Sequence, residues 1–166
     1  DASGSLCEIV DPDDPLDPVI QALTADSLIL YIEPNPVYER ELKKRARTHP
    51  KPLFYNPAFI TPALTDKPDD GVGIDPLEFA RPLFPELLEF RKPRYRKIAN
   101  NYGFTIHADE LFQADEHGNT LPNAALFLDK VHATVMEQAS QSETAAVNLQ
   151  RYVAACEGRA TLRDGY

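Results

Sequence analysis

Fifteen prolines are spread through 166 residues, and they constrain the fold more than any other feature of the chain. Proline gives no amide hydrogen to a helix or a sheet, and its ring collides with the preceding helical turn. A chain punctuated this often is expected to alternate short elements with irregular connections, and not to form a bundle of long helices. The proline-rich stretch 49–76 is expected to be a long connection with one helical turn near 57–64. Connections of that length inside a compact domain usually carry function.

Between the prolines, the apolar pattern reads as α/β. Leu28, Ile29, Leu30, Tyr31 and Ile32 run on without a polar break, as in a strand covered on both faces of a parallel sheet. Residues 6–10 and 104–106 are expected to be two more short strands. Helices are expected at 16–24, capped by the aspartates of the 11–18 turn, and at 36–48, with its cations toward the end where the helix dipole favours them. Further helices are expected at 75–90, broken at Pro82 and Pro85, and at 92–101, with Pro93 in its first turn and Tyr102 and Gly103 at its close. Residues 109–123 are turn-rich. Amphipathic helices follow at 123–141 and 142–156, and the last ten residues look frayed. Strands alternating with helices imply parallel pairing. The reading is one domain over 1–141 with a helical extension over 142–166. Three strands are few for a doubly wound sheet, and the chain starts at Asp1 without an initiator Met, so it is expected to be part of a longer protein.

Composition excludes several function classes. Apolar residues make up 43% and charged residues 26%, which is ordinary for a globular domain. The longest apolar run is far too short for a membrane span, and no basic-then-apolar leader is visible. Cys7 and Cys156 stand far apart with no Cys/His cluster near either, so zinc is not expected and both thiols are expected reduced, in a cytoplasmic setting. The net charge of −9 leaves no cation excess to replace counterions on a nucleic acid.

The cations are segregated. Arg40, Lys43, Lys44, Arg45, Arg47 and Lys51 form one group; Arg91, Lys92, Arg94, Arg96 and Lys97 form another; together they are eleven of the 17 basic residues. Two local anion sites on an otherwise repelling surface are one reading. Solvated helix faces, with Glu39 and Glu41 as local partners of the first group, are the other. In the first group a strand feeds a helix that turns basic and breaks at Lys51-Pro52-Leu53, where cations at an edge would neutralise a phosphate chain. In the second, Arg91 precedes Pro93 at a helix start, where free N–H groups add to an anion site. A third feature, Asp1-Ala2-Ser3-Gly4-Ser5, is a small-residue turn beside a strand that a ligand could approach closely, or an ordinary turn. Hydrolytic chemistry finds no support: there is no G-x-S-x-G, and His49, His107, His117 and His132 are scattered without partners in sequence. Adjacent acids such as Asp109 and Glu110 read as solvated.

In this order and separation these features resemble the second half of a P-loop small-molecule kinase of the shikimate kinase-like group. The substrate turn matches at Gly4, the strand pattern at Leu30-Tyr31-Ile32 and the lid end at Lys51-Pro52-Leu53. The R-x-P-x-Y-x-x-[IV]-A motif matches at Arg91, Pro93, Tyr95, Ile98 and Ala99. The likeness covers residues 1–107. It implies a parallel-sheet P-loop NTPase-like fold and ATP-dependent phosphoryl transfer, with Mg2+, to a small anionic metabolite bearing a hydroxyl. It further implies lid cations at Arg45, Arg47 and Lys51, and acceptor contacts at Gly4, Arg91 and Arg94. The Gly-rich loop G-x-x-x-x-G-K-[ST] that cradles phosphates is absent, as are the acids such kinases place near the first helix. A missing N-terminal half would have to supply them, so this chain alone is not expected to be active. The other reading is a P-loop-like module without catalysis that binds a protein partner or an anion.

Overall fold

The computed structural model describes residues 6–49, 55–64, 75–112 and 124–163. The first difference from expectation is at residues 6–10. They form a helical turn, α1 (Leu6–Ile9), and not a strand. Cys7 and Val10, three apart, reach the same core cluster as Ile20 and Ile98, with Leu6 packed beside them, while Ile9 faces solvent. Strict alternation would have put Cys7 and Val10 on opposite faces.

Helix α2 (Pro18–Asp26) starts two residues later than the sequence implies. Asp17 decides this. One of its carboxylate oxygens accepts from the amides of Val19 and Ile20, and the other from the amide of Asp11, 2.9 Å away, which also closes the preceding turn. Those backbone bonds hold its carboxyl below the usual range. Strand β1 (Ile29–Glu33) follows, and then α3 (Pro36–Thr48), over the residues expected, capped by Asn35 and begun by proline. The turn expected near 57 is a full helix, α4 (Pro57–Leu64), with Pro62 inside it.

Proline does not break the next helix. α5 (Pro76–Tyr102) is continuous over 27 residues through Pro82, Pro85 and Pro93, where the sequence implies two helices with further breaks. Each proline leaves a carbonyl one turn earlier without its helical donor. The helix survives because its buried residues, Ala80, Leu87, Arg91, Ile98 and Ala99, recur at helical spacing and bind it to the rest of the fold. It packs against α1, α3, both strands and the last helix.

Strand β2 (Gly103–His107) lies parallel to β1, with Ile29 opposite Gly103 and Ile32 opposite Ile106. Gly103 is required by contact and not by its dihedrals: a Cβ there would sit 2.4 Å from the carbonyl oxygen of Ile29. After α6 (Ala108–Leu111) come α7 (Ala124–Gln141) and α8 (Glu143–Arg163). Leu28, Leu30 and Phe104 pack against Val131, Val135, Ala145 and Leu149 of the last two helices. On the other face, Ile29 joins the α1–α2–α5 cluster and Tyr31 stacks on Tyr95. The result is a mostly helical α/β arrangement with a two-stranded parallel sheet between helical layers; the third strand expected at 6–10 is α1. Helix α8 lies against α2, α5, α7 and β2, and its regular part runs beyond residue 156, where fraying was expected. Among the described residues no helix is long and apolar enough to cross a membrane.

Candidate functional site

The carboxyl ends of β1 and β2 open into a cleft of about 320 Å³ between α3 and α5. Ligands of open α/β sheets gather at this end, because the connections leaving parallel strands diverge there. Here the divergence follows from sequence. Pro34 ends β1, and Asn35 starts α3 at once by accepting from the amides of Val37 and Tyr38. Tyr38 then donates its hydroxyl to the carbonyl of Phe112, 3.0 Å away, joining the first turn of α3 to the end of α6. The two rings meet edge to face.

The floor of the cleft is aromatic. Tyr31 and Tyr95 stack with centroids 5.5 Å apart and planes 15° apart. Burial pushes the Tyr31 phenol up to about 12 and raises that of Tyr95 as well, so both are neutral at physiological pH. Ile32, Leu42 and Leu88 complete an apolar wall. Two cations reach the lining, Arg45 from the first basic group and Lys92 from the second. Lys92 is held by Glu89 at 2.7 Å and by Glu39 at 3.0 Å; these carboxylates raise its pKa, and Lys92 and Lys43 lower that of Glu89 in return. The Arg45 side chain, by contrast, makes no ion pair or hydrogen bond among the described residues. It is the charge in the cleft still available to a ligand.

The residues singled out by sequence divide three ways. Gly4 and Lys51 lie outside the described residues. Arg45 reaches the cleft, whereas Arg47 is exposed and absent from its lining, its carbonyl accepting from the guanidinium of Arg81 at 2.9 Å. Arg91 and Arg94 turn to the other side of α5. Arg91, 8% exposed, pairs through Nε with the buried carboxylate of Glu8. The second oxygen of Glu8 accepts from the amide of Asn56, whose side chain donates to the Glu8 carbonyl at 3.2 Å. Arg94 donates to the carbonyls of Cys7, at 2.7 Å, and Val10, at 3.1 Å, and lies over the ring of Phe90. Both guanidinium groups thus bind the chain's own first helical segment.

The two basic groups do approach one another, but through Arg45 and Lys92. Sequence reasoning missed Lys92, Tyr38 and Phe112 as lining residues, and Glu8 as the partner of Arg91. Tyr38 could have been found from its place one turn into a helix that starts at the end of a strand. Nothing local marks Glu8, which is 83 positions from Arg91. Among the described residues no group of three or more His, Cys, Asp or Glu comes together to hold a metal. At the cleft, Glu39 is already engaged by lysines, and Glu41 is the one acid in the lining. Among the described residues, those lining the cleft do not make a Mg2+ site. Compared with family models, with curated proteins and with solved structures, the chain matches none.

Proposed function

We propose that the cleft at the carboxyl ends of β1 and β2 binds a small ligand that joins a flat apolar ring to an anionic group. The ring would lie against Tyr31, Tyr95 and Phe112, and the anion would meet the guanidinium of Arg45. The observation that carries this reading is the placement of one unpaired arginine on the rim of an apolar cleft of about 320 Å³, within the size range of small-molecule sites. Lys92 adds positive potential but brings two carboxylates with it. A mononucleotide has the required chemistry. On this reading the chain is a cytoplasmic binding module.

A second reading keeps the ATP-dependent phosphotransferase and a P-loop NTPase-like fold. In its favour, Arg45 stands on the helix that leads into Lys51-Pro52-Leu53, where a lid cation would stand. A separate N-terminal half would bring the Gly-rich loop and the Mg2+ ligands, and the acceptor would be a small anionic metabolite. Against it, the acceptor contacts implied at Arg91 and Arg94 would compete with Glu8 and two carbonyls for the same donors.

Calorimetric titration with AMP, ATP, adenosine and inorganic phosphate tests the cleft. AMP is expected to bind, adenosine and phosphate more weakly. Arg45→Ala should weaken AMP about tenfold, the equivalent of ~1.4 kcal/mol. No binding of either nucleotide, or equal binding by Arg45→Ala, overturns the reading. Nucleotide hydrolysis or transfer appearing only when a P-loop-bearing half is added would favour the kinase.

A further inference from the structure

The two outer edges of the sheet are finished differently. On β2, the side-chain amide of Gln138 from α7 accepts from the amide of Thr105 at 3.1 Å and donates to its carbonyl. One side chain thus supplies the bonds a neighbouring strand would make. On β1, no backbone or side-chain group among the described residues pairs with the outward amides and carbonyls of residues 29–33. Burial follows the same division. Ile32 and Ile106 are register partners on one face, yet Ile32 is 37% exposed and Ile106 is 0% exposed.

Exposed strand edges are normally protected by lysine, proline or a bulge. β1 reads Ile29-Leu30-Tyr31-Ile32-Glu33 and pairs without a bulge; Pro34 comes only after its end. Its unbroken apolar sequence belongs to a strand with neighbours on both sides and helices on both faces, but the described structure gives it one neighbour. We propose that the outer edge of β1 accepts a β-strand from a separate polypeptide segment, apolar on both faces, laid parallel to β1. Main-chain groups spaced for a ladder specify a strand as occupant. The net charge of −9 on each copy opposes self-pairing and favours an occupant that is neutral or flanked by cations. Laid parallel, the added strand would end beside Pro34 and place its following loop at the cleft. The proposal stands whether or not that cleft takes a nucleotide.

Amide exchange measured by NMR on the full chain, with and without a capped peptide of five alternating valines and isoleucines between terminal lysines, tests this. In the chain alone, alternate amides of residues 29–33 should exchange rapidly while their neighbours, bonded to β2, are protected. The peptide should protect the exposed set at least tenfold. A peptide of the same sequence with alternate N-methyl groups, which keeps the side chains and removes the donors, should not. A nitroxide at the peptide's carboxyl end should broaden Glu33 and Asn35 and spare Ser27. Four results overturn the proposal: alternate amides already protected in the monomeric chain, protection that rises with chain concentration alone, equal protection by the N-methylated peptide, or no protection by either.

Discussion

The two basic groups have nearly the same composition and are placed differently in the fold. On α5, buried Arg91 and half-buried Arg94 are used up on a carboxylate, two carbonyls and a ring within the chain. On α3, no residue is buried; Lys43 and Lys44 pair with nearby acids, while the side chain of Arg45 reaches the cleft lining unpaired among the described residues. A guanidinium in a buried site is held by its desolvation cost, which makes loss of its partner expensive. One at a rim contributes little to stability and is available to a ligand. Burial, and not the density of arginine, separates Arg91 and Arg94, which bind within the chain, from the exposed Arg45.

This contrast is most open to attack at Glu8. Removing one member of the buried pair should be the most damaging single change: Glu8→Ala or Arg91→Ala is expected to cost ~3–5 kcal/mol in urea unfolding. Glu8→Leu combined with Arg91→Met should recover much of it, because neither charge is then left alone. A smaller effect is expected at half-buried Arg94, where Arg94→Ala removes two charge-assisted bonds from the α1 segment, at about 1.5–3 kcal/mol in all. If Arg94→Ala were silent in stability but reduced nucleotide binding, the division between the groups would be wrong.

Below these comes a pH effect. Asp17 has its carboxyl lowered by backbone donors in the folded chain. Its contribution is therefore present above the unfolded pKa, near 4 for aspartate, and is lost as pH falls through the lower folded value. Asp17→Ala should lower the unfolding midpoint by a few degrees at neutral pH and flatten the acid limb below about pH 4. The smallest expected effect is on the stability of Arg45→Ala, within about 0.5 kcal/mol of wild type. A loss of several kcal/mol there would mean that Arg45 is structural like Arg91.

The sequence made legible those elements whose signals are local. The apolar run announces β1, and the helices expected over 36–48 and 123–141 are found at α3 and α7. It misled where a distant partner decides. Residues 6–10 become helical because Cys7 and Val10 meet Ile20 and Ile98. Three prolines are carried inside α5 because that helix is held along its length by both sheet and helices. Arg91 looked like an anion site because its neighbours in sequence are basic and begin with proline. Its function depends on Glu8, and on Asn56 fixing Glu8 from the other side. The cleft was half legible: Arg45 was marked by its charge, while Tyr38 and Phe112 gave no sign that they would meet.

The central claim is that Arg45 serves a ligand and Arg91 and Arg94 serve the fold. The rise in unfolding midpoint produced by AMP, measured on wild type, Arg45→Ala and Arg94→Ala, tests it most directly. The account predicts that Arg45→Ala keeps the wild-type midpoint and loses the rise, while Arg94→Ala starts lower and keeps it. The reverse pattern, or a rise that both variants retain in full, would contradict it.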